Sequence, residues 1–486
     1  MLKKIRNYFE DTEISLLKAA IYYIICQFLI KGMSFLTTPI FTRMLSKNEY
    51  GYVSNFFAWQ SLIIPLVTLD LRVTINRSKY LYPDDNDSFL FTILIVSNIL
   101  TLSALAFVEI NQNIFVNFFG MDIKYIRWLF FYIIFQTAFD YQQIQYNIYH
   151  KYKLYVLYTV LSIVASLILS IVLVLTIDNK FEGRILGSIV PAIIINIVIY
   201  INILRRSHRI VYKYAKFAIC MAIPLIPSAL SSTILSASDR IMITNFCGAE
   251  QTALYSIAYS VSSIAGIIWV ALNQAWGPWL YDHLNEKKYS DIRKFSNRFS
   301  LIYAGMVIGI MLISPEIVYA MGGKSYMDSI DVMPPVIMAM IFQFFYAFYF
   351  NTEYFYGETL IISFGTVIAA LVNVGLNYIF IAKYGYIAAA YTTMIGYFIM
   401  LLYHYLIVKY KLKKSFIFDT CFFAKTMGTL ILVQISLRFI YNNILIRYGL
   451  VSLYILIIIY AGLKNKERII RLFYNFFNKK KGTDYV

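Results

Sequence analysis

The chain has 486 residues, 60% of them hydrophobic and only 14% charged, with a mean hydropathy of +0.64. A soluble protein keeps about 25% charged residues for its surface, so the composition excludes a water-exposed globule and makes lipid the main solvent. The net charge of +17 lies in short basic clusters between apolar runs, which is the pattern of a cytoplasmic membrane face and gives no nucleic-acid partner.

The N-terminus, MLKKIRNYFEDTEISLLK, is basic but has no small-residue cleavage site after its apolar run, so it reads as a retained first helix. A span needs about 20 mainly apolar residues. Fourteen runs qualify, centred near Gln27, Ile63, Ser97, Phe135, Val164, Ile194, Leu225, Ala265, Ile308, Gln343, Ala370, Ile395, Leu430 and Leu453. Connections on the N-terminal side of the membrane hold thirty Lys and Arg against ten on the other, with Lys31, Lys425 and Arg438 inside predicted spans. That bias places both termini in the cytoplasm. The predicted fold is all-α and integral to the membrane, with about 14 transmembrane helices. A six-helix bundle is expected over 1–210, a second over 211–410, and two extra helices with a basic cytoplasmic tail over 411–486. A weak internal repeat fits this layout: TRMLSKNEYGYVSNFFA (42–58) aligns without gaps on TNFCGAEQTALYSIAYS (244–260) at an offset of 202 residues.

Polar residues inside the apolar runs mark candidate sites. In the first span Gln27 and Lys31 share a helical face, with Ser34 following, a stripe that should face a wet interior. A charge there costs roughly 3 kcal/mol unless it is compensated; a cationic site and a snorkelling or paired lysine are both open. In the fourth span Gln136, Asp140, Gln143 and Asn147 are spaced 4, 3 and 4 and fall on one narrow arc. They form either a water-lined wall, with Asp140 able to exchange a proton or pair with a cation, or an interhelical lock. Asn373 and Asn377 are four apart, Asn273 and Gln274 precede Gly277–Pro278, and a serine series leads to Asp239–Arg240. Pro224 and Pro227 are expected to kink the seventh span. Arg43, Arg72, Arg77 and Arg240 sit at or near span ends, where each serves as an interfacial anchor or as a bidentate anion ligand.

Enzyme chemistry is not expected. The sequence has no HExxH, GxSxG, Walker loop or paired loop carboxylates, and no connection longer than about 20 residues to hold a catalytic domain. No cofactor and no metal are expected. Cys26, Cys220, Cys247 and Cys421 read as small hydrophobes, and His150, His208, His283 and His404 as interfacial residues near the inner side.

Three stretches carry a resemblance. TRMLSKNEYGYVS (42–54), SDRIMITNFCGAEQTALYSIAYS (238–260) and NQAWGPWLYDHL (273–284) resemble the Wzx-type polysaccharide flippases of the multidrug/oligosaccharidyl-lipid/polysaccharide exporter superfamily. The matching positions are Arg43, Leu45, Ser46, Tyr50 and Gly51, then Asp239 and Arg240, then Trp276 and Pro278. The resemblance implies a two-lobed multi-pass transporter of the bacterial cytoplasmic membrane. It would move undecaprenyl-diphosphate-linked oligosaccharide units to the outer leaflet for capsule or O-antigen, alongside membrane lipids, a polymerase and other polysaccharide-assembly proteins. Lys31, Arg43, Arg72 and Arg240 would face the diphosphate. Gln27, Gln136, Asp140, Gln143, Asn147, Asp239, Asn273, Asn373 and Asn377 would supply cavity polarity or ion coupling. A multidrug or cation antiporter of the same superfamily, and a membrane polymerase or transferase, are the competing readings.

Overall fold

The computed structural model describes residues 35, 37–149, 152–441 and 443–464. Gln27, Lys31 and the first candidate span lie outside the described residues, as does the C-terminal tail from 465 on. The described chain is helical throughout, with no strand among the described residues. Ten helices are long and apolar enough to cross a membrane, or eleven if one bent pair counts as a span.

A helical stretch over residues 37–44 leads to α1 (Lys47–Val67), which Ser46 starts with a capping box. The Ser46 hydroxyl accepts from Glu49 N, and the Glu49 carboxylate accepts from Ser46 N at 2.7 Å. Pro65 near the end of α1 is followed by Leu69 and Asp70, both with positive φ (51° and 45°). The path then turns by 55° into a short 3-10 turn and α2 (Ile75–Leu81). Next come α3 (Asn86–Ile110), α4 (Gln112–Phe119), α5 (Ile123–Ile148), α6 (Tyr152–Thr176) and α7 (Lys180–Arg206).

The seventh candidate span consists of α8 (Tyr212–Ala222) and α9 (Ile226–Cys247), joined by a 3-10 turn at Ile223–Leu225. Pro224 in that turn and Pro227 in the first turn of α9 lie at the break, where proline costs least. The chain continues through α10 (Ala249–Asn285), α11 (Tyr289–Leu312), α12 (Ser314–Gly322), α13 (Met333–Phe355), α14 (Thr359–Tyr384) and α15 (Tyr386–Leu406). A π-helical turn at Ile407–Lys411 ends α15, and α16 (Thr420–Ile440) and α17 (Ile444–Lys464) follow.

Every candidate centre from Ile63 onward falls on a helix, Leu225 on the 3-10 turn. The span around Phe135 became α5 but falls outside the ten, because its polar face lowers its hydropathy.

Two compact units are present. One runs to Ile292 and takes in Val318–Ile417; the other joins Arg293–Ile317 to the chain from Phe418 on. In the first, α13 is the most deeply buried span and α6 the most exposed. The α1 and α10 helices approach so closely that a Cβ on Gly51 would lie 1.7 Å from the Ala249 carbonyl oxygen, which only glycine permits. These two helices also start 202 residues apart, at Lys47 and Ala249. Their successors α3, α6 and α7 recur as α11, α14 and α15 at offsets of 203 to 207 residues. In the second unit, Tyr454 of α17 donates to the Gly305 carbonyl at 2.7 Å. Arg447 pairs with Glu316 there.

Candidate functional site

The α5 helix presents its polar face to a cavity of about 490 Å³ that residues 37–41, α6 and α7 also line. Gln136, Asp140 and Gln143 line its wall, with Tyr132, Thr159, Ser162 and Ser166. Each amide has a partner. Gln136 Nε2 donates to Asp140 Oδ1 at 2.8 Å and Gln136 Oε1 accepts from Asn196 at 3.0 Å, while Gln143 donates to the Thr159 hydroxyl at 2.8 Å. Asn147 lies on the same helix one turn further on.

The cation facing this cavity is Arg184, which the sequence reading counted as a loop residue. It belongs to the first turns of α7 instead. The local signal is Gly183-Arg-Ile-Leu-Gly187, a small-xxx-small pair that lets helices touch backbone to backbone. A Cβ on Gly187 would lie 2.2 Å from Ser170 Cα, and one on Gly183 2.7 Å from the Leu173 carbonyl oxygen. That contact with α6 holds the Arg184 guanidinium in place. Its Nη1 donates to the Ser170 hydroxyl at 2.8 Å and to Ser188, and the planar group lies 4.0 Å over the Phe41 ring. The opposite edge, Nε with Nη2, has no protein partner among the described residues. This is the edge that grips a carboxylate or phosphate bidentately.

The arginines named from the sequence are placed differently. Arg43 donates to the Pro39 carbonyl at 2.7 Å and the Ala320 carbonyl at 3.0 Å, tying the 37–44 stretch to α12. Arg72 pairs with Asp70 at 2.5 Å beside the 55° break. Arg77 is exposed. Arg240 donates to the Ser236 carbonyl and lies 4.6 Å over the Tyr259 ring. Among the described residues, none of these four lines the α5–α7 cavity.

A second polar centre joins α9, α10, α14 and α15. Asp239 is fully buried, with Tyr255 and Thr393 hydroxyls donating to Oδ2 and Asn377 donating to Oδ1 at 2.6 Å. Asn377 accepts from the Thr392 hydroxyl, and Asn373 lies 3.3 Å from both Asn377 and Thr393. Three residues singled out from sequence thus meet in one cage of oxygen and amide groups. Sequence reasoning missed Tyr255 and Thr393, which are unremarkable in composition and reach Asp239 only through the fold. Asn273 lies apart from this centre and accepts from Asn351 at 3.1 Å. One expectation is overturned: His404 is not interfacial but fully buried, its Nδ1 2.8 Å from Glu353 Oε2. Among the described residues, no group of three His, Cys, Asp or Glu is arranged to hold a metal.

The model of the polysaccharide biosynthesis protein family matches residues 16–284. The chain belongs to that family. No curated protein matches its sequence, but solved structures match its fold. Lipid II flippase MurJ in an inward closed conformation superposes with a TM-score of 0.63 at 16% identity, over 93% of this chain and 100% of that one. An inward-facing multidrug resistance MATE transporter of the MOP superfamily gives 0.64 at 15% identity, over 82% and 98%. A MOP superfamily transporter from Pyrococcus furiosus, noted for the reverse polarity of its binding pocket, gives 0.55 at 15% identity, over 82% and 96%. The family is one of membrane transporters, with a flippase and multidrug exporters sharing its fold.

Proposed function

We propose that this protein flips undecaprenyl-diphosphate-linked oligosaccharide repeat units from the inner to the outer leaflet of a bacterial cytoplasmic membrane, by alternating access. The unpartnered Nε/Nη2 edge of Arg184 in a polar, membrane-embedded cavity carries this reading. A diphosphate is a permanent anion with bidentate oxygens, and the hydroxyls and amides of α5 and α6 suit a sugar. The lipid tail stays in the bilayer, so the cavity has only to shelter the headgroup. Lys31, on the first span, is a further counter-charge for that headgroup in this reading. The helical offsets of 202 to 207 residues support a six-plus-six arrangement with two added helices. Capsule or O-antigen would be the destination, with a polymerase as the next protein to act. Asp239 and its cage, or Asp140, would couple transport to a proton or a small cation.

Leaflet translocation of a fluorescent undecaprenyl-diphosphate oligosaccharide in proteoliposomes tests the reading. Wild type should move the lipid and leave it covalently unchanged, and Arg184→Gln at equal incorporation should move it at least about tenfold more slowly. That is the loss expected of a charge-assisted hydrogen bond worth about 1.5–3 kcal/mol. Wild-type rates no higher than in empty vesicles would overturn it. Asp140 in the same cavity favours one second reading, export of an organic cation, which drug-cation efflux from the same vesicles would reveal.

A further inference from the structure

Glu353 lies in the last turn of α13 and His404 in the last turn of α15, and both side chains are fully buried. Beyond the 2.8 Å contact between Nδ1 and Oε2, Glu353 Oε1 and His404 Nε2 have no protein partner among the described residues. Tyr346 stacks on the imidazole with ring centroids 5.5 Å apart, and Phe350 and Tyr403 close on it edge-on. On the α14 side Gly365 admits the ring, since a Cβ there would come within 3.2 Å of Nε2. The titratable and charged groups around the pair are Tyr346 of α13, Tyr403 of α15, and Glu358 and Lys411. Glu358 and Lys411 pair with each other at 2.6 Å, so Lys411 is committed elsewhere.

Charge counting decides what such a pair does. With one proton it is neutral overall, as carboxylate and imidazolium or as carboxylic acid and imidazole. Without it, a net anion is left in an apolar enclosure with no cation paired to it, at a cost of several kcal/mol. The two groups therefore hold one proton as a unit, and neither residue owns it. The orphan Oε1 and Nε2 add a donor and an acceptor whose burial costs about 1–3 kcal/mol each, a cost a merely structural pair has no reason to carry. Three residues beyond His404 the π-helical turn Ile407–Lys411 interrupts the α-helical ladder, giving the end of α15 a place to yield.

We propose that Glu353 and His404 form a proton-binding site in the C-terminal half of the first unit, separate from the Asp239 cage and from the α5–α7 cavity. Water reaches it, and the proton leaves, when α15 moves on α13. This site rests on the geometry of the pair and not on which lipid or sugar is carried.

The test needs no substrate. Full-length protein in lipid nanodiscs, uniformly labelled with ¹⁵N-histidine, is read by NMR, with infrared difference spectra for the Glu353 carboxyl. The four histidines make assignment direct, because His404→Asn removes one signal. Near neutral pH the proton should be found on the pair, as an imidazolium or as a carboxylic acid. Glu353→Gln should move the titration of the His404 ring by at least about one pH unit. A neutral imidazole beside an ionised carboxylate would overturn the proposal, and so would a His404 titration that Glu353→Gln leaves unchanged. Asparagine keeps a donor facing Glu353. Should either variant fail to fold, the wild-type spectra alone still decide whether the proton is bound.

Discussion

Arg184 separates charge from geometry. Arg184→Lys keeps the positive charge but replaces a planar fork with a point charge, so the bidentate edge is lost. Its translocation rate should fall between those of wild type and Arg184→Gln; a rate equal to wild type would show that charge alone serves. The α5 face was legible in the sequence, because residues spaced 4, 3 and 4 on a helix must share a side whatever packs against it. Arg184 was not, since a charge near the start of an apolar run looks like a loop charge until Gly183 and Gly187 are read as a packing pair. Glu353 and His404 were illegible for a different reason. They are 51 residues apart and each lies near a helix end, so only the packing of α13 on α15 joins them.

Helices here are specified by their ends and their small residues. Gly187→Ala should destabilise the α6–α7 pair by about 1–3 kcal/mol, the usual cost of forcing extra volume into a closed contact, and thermal unfolding in detergent checks it. The loss should come with slower transport, because Ser170 and Ser188 hold Arg184 through that contact. In the turn before α3, Asp85 accepts from the Tyr214 hydroxyl at 2.6 Å. Hydrogen bonds from Ser88 and then Tyr214 hold its carboxyl below the usual carboxylate range. The stability this adds is present above the unfolded value of about 3.9 and is lost as pH falls through the lower folded value. Asp85→Asn should therefore flatten the acid limb of the unfolding curve and leave it unchanged near neutrality. Helix positions were readable because length and apolarity fix them. The bend after Val67 was not, since Thr68–Leu71 carries no glycine or proline to announce it.

At the scale of the whole molecule, the charge bias of the connections puts the 37–44 stretch and the end of α12 on the outer side. There Thr42 donates to the Met321 carbonyl and Arg43 to Ala320, while Tyr50 meets Tyr326 edge-on at 6.3 Å. With Gly51 against Ala249, these contacts close the outer end between the two halves of the first unit. A cysteine pair at positions 42 and 321, in a variant with the native cysteines replaced, should crosslink on oxidation and stop translocation, and reduction should restore it. Full activity in the oxidised form would mean that this end never opens during the cycle. The lobed architecture was anticipated because the repeat in the sequence is a repeat of helices, whereas the seam between the halves depends on backbone contacts that composition does not record.

The turn at Leu69–Asp70 has an energetic consequence. Two consecutive non-glycine residues in the left-handed region each cost about 1–2 kcal/mol, a total on the scale of the coupling free energies that link distant sites in proteins. Were both to return to right-handed geometry, α1 and α2 would fuse into one rod, with Arg72 carried away from Asp70. The bent form is thus a loaded spring whose release favours the straight one. Leu69→Gly removes the load without touching a side-chain contact of the cavity. The variant should unfold at a higher temperature yet turn over about tenfold more slowly for every 1.4 kcal/mol by which the bent state has been made comfortable.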